Sequence, residues 1–381
     1  MNEWRKIQIK ELCSDIIDCV NKTAPISNTP TKYRMLRTSD IRDGFINLEN
    51  LNCVTEETYN KWTRRGFLQK GDIILTREAP LGEVGLVRYA ENFFLGQRLV
   101  LLRANPSVCD NRFLLYALQF HDNKQAIIAK GVGATVLHLR VPECEKIEIR
   151  VPDLQTQRKI GNILFAYDNL IENNQKQIKL LEEAAQRLYK EWFVDLRFPG
   201  YETTSVVDRV PEGWHQRTLE ELISINYGKD HKQVPEDGEI PVYGSGGLIR
   251  KCNKFLYTGE AVLIPRKGSL NHIMYVNEAF WTVDTMFYAT MKKPNTALFV
   301  YFFISSLDMY AMNIGAAVPS MTVKILEAIP LLIPSENALK RFDDTVKVYF
   351  QKIAVLNKQI EGLAEARDRL LPKLMSGEIE V

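Results

Sequence analysis

The sequence has few of the residues that build metal sites and disulfide frameworks. Its 381 residues include five histidines and six cysteines. No two cysteines have the C-x-x-C spacing, and no histidines and cysteines follow a zinc-binding pattern. Five of the six cysteines lie before residue 150. This uneven distribution argues against a disulfide framework repeated along the chain, and we expect buried, reduced thiols.

Long apolar runs and several enzyme motifs are also missing. No stretch reaches the roughly eighteen apolar residues of a membrane span, and the first residues lack the apolar core of a signal peptide. There is no Pro-Pro pair, and so no Asn-Pro-Pro-Tyr box of amino methyltransferases, no P-loop and no HExxH. The nuclease pattern of Pro-Asp followed by Glu/Asp-x-Lys is matched only by Pro152-Asp153 and Asp230-His231-Lys232. These segments lie nearly eighty residues apart, at a predicted helix start and in a loop, so the match is a chance one. We expect a cytoplasmic protein without catalytic residues.

Charge is nearly balanced along the chain. Residues 1–152 carry a net charge of +4 and residues 201–334 a net charge of −2, whereas residues 153–200 and 335–381 are neutral. A protein that grips nucleic acid by itself is usually far more basic. DNA binding therefore requires basic side chains gathered on one face, or help from a partner.

The chain does contain an apolar heptad that occurs twice. Steps of four and three residues from Ile160 to Trp192 select apolar positions, with an interruption at Asn174, and adding 182 selects a second seam from Phe342 to Leu374. This spacing predicts two long helices that each pack against another helix. The predicted interface residues are Ile160, Leu164, Tyr167, Ile171, Ile178, Leu181, Leu188, Phe342, Val346, Tyr349, Ile353, Leu356, Ile360, Leu363 and Leu370.

The flanks of the two seams match as well. Gln175-Lys176-Gln177-Ile178 corresponds to Asn357-Lys358-Gln359-Ile360 at the same offset of 182. Trp4 and Trp214, 210 residues apart, mark the starts of two globular units, so the first unit holds about 28 more residues than the second. The chain is therefore an internal duplication in which globular units and helices alternate.

The globular units are predicted to mix strands and helices. Apolar segments bounded by glycine or charge predict strands at residues 72–76, 83–87, 98–102 and 259–264. Periodicity predicts one helix over 112–128 and its counterpart over 298–306. The long helices are predicted to begin at Pro152-Asp153 and Pro334-Ser335.

The seams leave three arrangements open, because each helix can pack on its duplicate, on a second copy of the chain or on another protein. An intramolecular antiparallel pair predicts a rod with the globular units at opposite ends. A rod of roughly 60 Å, at about 1.5 Å per residue, separates two DNA-reading units by almost two turns, since DNA repeats its face about every 34 to 36 Å. Asn174 then fixes the alignment, although a solvated kink there fits equally well.

Loops that combine glycine with cations or hydroxyls are the candidate DNA contacts. Tyr243-Gly244-Ser245-Gly246-Gly247 permits close approach to a phosphate or base edge, and Pro265-Arg266-Lys267-Gly268-Ser269 adds two cations. Plain turns and solvated surface loops have the same composition. The basic and aromatic stretch 61–66 either reaches DNA or caps the core. The candidate contacts are Arg37, Thr38, Ser39, Arg64, Arg77, Lys130, Thr135, Tyr243, Ser245, Arg266, Lys267 and Ser320.

With its duplication and two heptads, the chain resembles the specificity subunit of type I restriction-modification enzymes. The second copy departs from the Leu-Gln-Thr-Gln wording of the first at Pro334-Ser335-Glu336-Asn337-Ala338. The residues that carry the resemblance are Trp4, Trp214, Gly131-Val132-Gly133-Ala134-Thr135-Val136, Ile314-Gly315-Ala316-Ala317-Val318-Pro319, the run from Pro152 to Ile160, and Trp192-Phe193-Val194-Asp195.

The resemblance implies an α+β fold with a pseudo-twofold internal repeat. Two mixed α/β target recognition domains, residues 1–152 and 201–334, are separated by two long antiparallel coiled-coil helices, within residues 153–200 and 335–381. Each domain is expected to read one half of an asymmetric bipartite site in double-stranded DNA. The rival interpretation is a duplicated, non-catalytic adaptor that binds protein.

The resemblance also implies partners and cofactors. The expected partners are two methyltransferase subunits and the restriction translocase-nuclease subunits. S-adenosylmethionine, ATP and Mg²⁺ belong to those partners, and the chain itself is expected to bind no cofactor and no metal and to catalyse no reaction.

Overall fold

The computed structural model describes residues 4–312 and 320–381. It divides into two compact units, the first formed by Met1–Asn174 with Gln359–Val381 and the second by Gln175–Lys358. Each unit therefore contains one globular part and half of each long helix. The predicted internal repeat is confirmed, because both units follow the same succession of sheet, short helices and long helix.

The elements of the first unit are mostly short. Its strands are β1 (Arg5–Gln8), β2 (Cys13–Asp18), β3 (Arg34–Leu36), β4 (Ile41–Arg42), β5 (Phe45–Ile46), β6 (Asn52–Cys53), β7 (Ile73–Arg77), β8 (Leu81–Leu86), β9 (Phe93–Leu95), β10 (Leu99–Ala104) and β11 (Glu148–Val151). Its short helices are α1 (Ile9–Leu12), α2 (Glu56–Trp62), α3 (Asn111–Gln119), α4 (His121–Ala129) and α5 (Val141–Glu145). The first long helix, α6 (Leu154–Tyr189), continues into a π-helical turn at Lys190–Val194.

A four-stranded antiparallel sheet in the order β2-β10-β7-β8 organises the first unit. Alternate residues of β7 face opposite sides, as a strand requires. Ile73 and Leu75 pack under α3 and the start of α6, while Ile74 joins a second core with Leu36 and Leu99. Both faces of the strand are buried, which explains its unbroken apolar sequence.

The second unit has longer strands. Its strands are β12 (Val206–Val207), β13 (Val210–Pro211), β14 (His215–Thr218), β15 (Ile223–Tyr227), β16 (Ile240–Gly244), β17 (Gly247–Cys252), β18 (Tyr257–Pro265), β19 (Met274–Thr282), β20 (Met286–Met291) and β21 (Pro330–Ile333). Its helices are α7 (Ala297–Ser305), α8 (Val323–Glu327) and the second long helix, α9 (Glu336–Ser376).

A six-stranded sheet in the order β15-β20-β18-β19-β16-β17 organises the second unit, and only the pairing of β16 with β19 is parallel within the described residues. The nine-residue strand β18 again serves two cores. Val262 and Ile264 pack with α7 and the long helices, and Ala261 and Leu263 face a smaller core with Phe280.

The strand registers define which residues of the two units are equivalent. In the first unit Val100 pairs with Asp18 on one side and Leu75 on the other. In the second unit Phe287 pairs in the same way with Tyr227 and Ile264. Asp18 and Tyr227 therefore occupy equivalent positions at the ends of β2 and β15.

The additional residues of the first unit form a small subdomain between β2 and β7. Strand β3 lies between β6 and β9, and Trp62 of α2 packs in a separate core with Tyr33, Val54 and Phe94. The basic and aromatic stretch 61–66 lies in this subdomain, at the end of α2 and after it.

The two long helices pack against each other within each unit. In the first unit Asp168 pairs with Arg367 and Asn174 with Gln359, an order that makes the two helices antiparallel. In the second unit the end of α6 meets the start of α9, where the rings of Trp192 and Phe342 lie 5.9 Å apart. Each predicted seam residue is buried or half-buried. Of the three arrangements left open, the structure has the first, in which each long helix packs on its duplicate in the same chain.

The predicted starts of the long helices are confirmed by their caps. Asp153 Oδ1 accepts from the backbone N–H groups of Gln155 and Thr156, and Ser335 Oγ accepts from the N–H of Ala338. Side-chain acceptors at these positions satisfy N–H groups that lack an intrahelical partner.

The prediction of one helix over 112–128 is wrong. Phe120 has an extended backbone, with ψ of 131°, and separates α3 from α4. The side chain of Asn123 donates to the carbonyl of Ala117 at 2.8 Å, which satisfies a carbonyl at the end of α3 and stabilises the break.

The cysteines carry no disulfide. All six are free, and Cys13 and Cys53 are half-buried while the other four are buried. Among residues 4–312 and 320–381, no helix combines the length and the apolar composition that crossing a membrane requires.

Candidate nucleic-acid interface

Three segments of the second unit meet where β16 and β18 end. Ser245 lies in the β16–β17 turn, and its carbonyl is 2.9 Å from Nδ1 of His272 in the β18–β19 loop. The same loop contains Arg266 and Lys267, and Lys267 forms a β-bridge with Ser320. The structure therefore brings four predicted contacts, Ser245, Arg266, Lys267 and Ser320, into one cluster, which we call the β18 loop cluster.

The side chain of Tyr310 anchors the backbone of the β18–β19 loop. Tyr310 donates to the carbonyl of Gly268 at 3.1 Å and accepts from the N–H of Leu270 at 3.2 Å. Gly268 has a φ of +84°, and a Cβ there would lie 2.8 Å from Ser245 Oγ. The left-handed backbone conformation favours glycine at this position, and a larger residue would also displace the Ser245 hydroxyl. Lys267 projects into solvent from this fixed loop, an arrangement suited to a phosphate contact.

Arg266 follows β18 and lies over an aromatic ring. Its guanidinium carbon is 5.6 Å from the ring centroid of Tyr227, which is 56% exposed. One Nη1–H donates weakly to the carbonyl of Asp284 at 3.4 Å. Among the described residues no carboxylate forms an ion pair with this guanidinium, so its positive charge remains available to a ligand.

Tyr243, a further predicted contact, is directed elsewhere. It lies in β16, half-buried, and its hydroxyl donates to Glu278 Oε1 at 2.9 Å. Its carbonyl accepts from the N–H of Val283. These bonds tie Tyr243 to β19 and to the loop that follows β19, and its contact with DNA stays a prediction.

In the first unit, Arg37, Thr38 and Ser39 form a turn whose polar groups are satisfied internally. Arg37 Nε and Nη2 donate to Asp40 at 3.0 and 2.7 Å, and this hydrogen bonding raises the pKa of Arg37. Thr38 donates to the carbonyl of Ala79 at 3.0 Å, and Ser39 lies 3.5 Å from Asp40. The Arg37 side chain remains 38% exposed, so a ligand can reach the part of the guanidinium that does not face Asp40.

Arg77, which the sequence offered as a DNA contact, lies in the interior of the first unit. Its side chain is 6% exposed, and Nη2 pairs with Asp18 Oδ1 at 2.8 Å. Nη1 donates to the carbonyl of Leu139. A guanidinium held this way supports the fold and does not present its donors to solvent, and we leave Arg77 out of the interface.

Arg64, Lys130 and Thr135 are exposed on the first unit. Arg64 follows α2, whereas Lys130 and Thr135 belong to the glycine turn after α4. The neighbouring Trp62 is buried, and its Nε1–H donates to the carbonyl of Lys22 at 3.1 Å. Trp62 of the stretch 61–66 thus caps a core, whereas Arg64 is exposed and its contact with DNA stays a prediction.

Four residues that the sequence analysis did not single out lie beside the predicted ones. Tyr227, His272 and Tyr310 border the β18 loop cluster, and Arg98 of the first unit is 49% exposed and lies 3.1 Å from Glu78. Contacts with distant parts of the chain place these residues, so no local motif marks them. The predicted glycine segment 314–319 lies outside the described residues.

The geometry gives no support to a metal centre. Nowhere in the described parts of the chain do three His, Cys, Asp or Glu side chains gather as metal ligands would. Both carboxylates of the nuclease-like match have local roles, since Asp153 caps α6 and Asp230 accepts from the N–H of Lys232.

Comparison with protein families gives a match to each repeat. A family described as type I restriction modification DNA specificity domain matches residues 1–183 and again residues 211–365. The two matches together cover well over half of the chain.

Similar proteins carry related descriptions. The type I restriction enzyme MjaIX specificity subunit of Methanocaldococcus jannaschii is 26% identical over 86% of this chain and 82% of its own length. A putative type I restriction enzyme MjaX specificity subunit of the same organism is 25% identical over 98% and 94%. The crystal structure of a type I restriction-modification system S subunit from M. genitalium has a TM-score of 0.65 at 21% identity, over 98% of this chain and 96% of that one. This last likeness shows the fold.

Proposed function

The chain belongs to the type I restriction-modification DNA specificity family as a non-catalytic specificity subunit, and we propose that each globular part reads one half of an asymmetric bipartite site in double-stranded DNA. The observation that carries the proposal is the separate match of the family to each repeat. Two reading domains in one chain suit a target of two separate half-sites.

The exposed polar groups of the two units favour an asymmetric target. The second unit offers Arg266 and Lys267 on a rigid loop, with Ser245 beside them. The first unit offers Arg64 and Lys130 at other positions of its fold. Cations and hydroxyls of this kind contact phosphates and base edges. Because the two units present different side chains, they read different sequences.

The long helices set the separation of the two half-sites. Their apolar seams are buried against each other inside each unit, as in a coiled coil. A change in helix length therefore changes the number of base pairs between the half-sites.

Methyltransferase subunits dock on the exposed sides of these helices. Val348 and Val355, seven residues apart on α9, are 58% and 49% exposed, and Leu180 of α6 is 64% exposed. Residues seven apart share one face of a helix, so Val348 and Val355 form an apolar stripe of the kind that a partner's helix covers. Two methyltransferase subunits bind in this way, the restriction translocase-nuclease subunits join them, and the complex acts in the cytoplasm.

The partners supply the chemistry. S-adenosylmethionine belongs to the methyltransferase subunits, and ATP and Mg²⁺ belong to the translocase-nuclease subunits. This chain contributes the choice of sequence and the docking surface.

Co-expression with the methyltransferase subunit tests the proposal. Methylation sequencing of the purified complex's products is expected to give a single bipartite motif, and footprinting is expected to protect two short patches. The chain alone, incubated with S-adenosylmethionine and DNA, serves as the control and is expected to methylate nothing. A complex that methylates without sequence preference, or a chain that methylates by itself, contradicts the proposal. The first of these results favours the protein-binding adaptor.

A further inference from the structure

Arg77 and Arg266 occupy the same backbone position in the two repeats. The N–H of Arg77 donates to the carbonyl of Arg98 at 2.8 Å, and its carbonyl accepts from Leu139 at 2.9 Å. Arg266 has the same two bonds, to Thr285 at 2.9 Å and from Met321 at 3.0 Å. Arg77 is the last residue of β7, and Arg266 directly follows the last residue of β18. The backbone frame is shared, and any difference between the arginines comes from their side-chain surroundings.

The residue that faces each arginine differs. In the first unit it is Asp18, at the end of β2, whose carboxylate pairs with Arg77 at 2.8 Å. In the second unit the equivalent position at the end of β15 holds Tyr227, and Arg266 lies over its ring. The repeat has therefore placed a carboxylate against one arginine and a neutral, exposed ring against the other.

The two partners leave different groups free. The Asp18 carboxylate, 2.8 Å from Nη2, neutralises the charge of the buried Arg77 guanidinium. The face of Tyr227 contacts the Arg266 cation from above, and apart from the weak bond from Nη1 to Asp284 the in-plane N–H donors stay open. Arg77 is 6% exposed, whereas Arg266 is half-buried beside the exposed Lys267.

We propose that Arg266, positioned by Tyr227, reads a guanine in the half-site bound by the second unit, and that Arg77 is its structural counterpart and reads no base. Two parallel N–H donors of an arginine match O6 and N7 of guanine in the major groove. The ring of Tyr227 restricts the guanidinium to one plane before DNA arrives, which favours a specific contact over a mobile one. This inference rests on the proposed function, and it adds that Arg266 is the reading residue and guanine the base that it reads.

The test uses the complex of this chain with its methyltransferase subunit and a DNA library randomised in both half-sites. Arg266→Lys keeps the charge but loses the paired donors, so it is expected to reduce discrimination at one base pair by about ten- to a hundred-fold. Discrimination at all other positions is expected to stay as in the wild type. A variant that lost only general affinity for DNA would bind all library sequences more weakly, and the base preference at each position would stay the same.

Tyr227→Asp places a carboxylate opposite Arg266, as Asp18 stands opposite Arg77 in the first unit. It is expected to neutralise Arg266 and to relax the same base pair. Tyr227→Ala removes the ring without adding charge and is expected to relax that base pair to a smaller degree. Arg217→Ala, an exposed arginine of the same unit that pairs with Glu221, is the matched control. Thermal melting of each complex checks that the variants fold.

Arg77→Lys is the counterpart variant in the first unit. It is expected to lower the melting temperature and to leave the preference of both half-sites unchanged.

The outcomes separate the inference from the proposed function. A wild-type complex without sequence preference overturns both. A preference that survives both Arg266→Lys and Tyr227→Asp overturns the assignment of Arg266 alone. A relaxed first half-site in folded Arg77→Lys overturns the assignment of Arg77.

Discussion

Asp168 and Arg367, 199 positions apart in the sequence, form an ion pair of 2.7 Å inside the first unit. Tyr116 of α3 donates to the other carboxylate oxygen at 2.6 Å. A tyrosine hydroxyl is protonated at neutral pH in any case, and burial raises the pKa of Tyr116 still further. One carboxylate thus connects α3, α6 and α9.

Removing one partner of this pair should destabilise the first unit strongly. The Asp168 side chain is 2% exposed and the Arg367 side chain 13%, and an uncompensated buried charge costs about 3 kcal/mol or more. We expect Asp168→Ala to lower the free energy of unfolding by about that amount in urea denaturation. The control is Arg187→Ala, which breaks an exposed pair with Glu183 on the same helix and should change stability by about 0.5 kcal/mol or less. Equal effects of the two substitutions would contradict a buried role for the pair.

Substitutions in the seam of α9 should lower the stability of the chain, whereas substitutions on its exposed side should weaken assembly with the methyltransferase subunit. Leu356 is 1% exposed and the adjacent Val355 is 49% exposed. Leu356→Ala is expected to cost about 2 to 4 kcal/mol, because it leaves a cavity in the core. Val355→Asp should change the stability of the isolated chain by less than about 1 kcal/mol and weaken association with the methyltransferase subunit. Denaturation and size-exclusion chromatography of the complex measure the two effects. Unimpaired assembly of both Val355→Asp and Val348→Asp contradicts the proposed docking surface.

Lys267 should contribute to DNA affinity without contributing to sequence choice. A lysine that neutralises one phosphate steepens the dependence of log affinity on log salt by about 0.9. We expect Lys267→Ala to weaken binding of the methyltransferase complex to all DNA sequences alike and to reduce that slope by about one. Lys254→Ala, before the opposite end of β18, is the matched control and should leave the slope unchanged. An altered sequence preference in Lys267→Ala would assign Lys267 to base reading instead.

The stability of the second unit should depend on pH through Asp343. Its side chain is 3% exposed and lies 3.9 Å from Lys347, and burial raises its pKa while Lys347 opposes the rise. The folded state therefore holds this proton more tightly than the unfolded chain, in which the pKa of the carboxyl is about 3.9. Stability from this group is fully present below that ordinary pKa and is lost as the pH rises through the raised one.

Asp343→Asn removes this titration. We expect its stability relative to the wild type to improve as the pH is raised from about 3.5 to 7, as measured by urea denaturation at each pH. Asp344→Asn, an exposed neighbour on the same helix, should show no such trend. A wild-type chain and an Asp343→Asn variant with parallel pH profiles would contradict the role of Asp343.

The long helices could be predicted from the sequence because their signal is local and repeated. Ile160, Leu164 and Ile171 recur at heptad spacing, and all three are buried. Their caps at Asp153 and Ser335 are marked by residue types that accept backbone hydrogen bonds. Periodicity alone did not reveal the break at Phe120, since the apolar pattern continues across it.

The candidate interface was predictable only in part. Arg77 and Arg266 both follow an apolar strand, and nothing in that pattern distinguishes them. Their difference lies in Asp18 and Tyr227, which are 59 and 39 residues away in the sequence. The partner of a side chain across a sheet is set by strand order, and strand order is not written in any single segment.

The division of the chain into units has a consequence for its synthesis. The first unit needs Gln359–Val381, and Leu374 and Met375 are part of its buried core. A nascent chain on the ribosome can therefore finish the second unit while the first still exposes an apolar surface. A premature stop codon near residue 358 would therefore leave that apolar surface uncovered for good, and a chain that exposes such a surface is prone to aggregate.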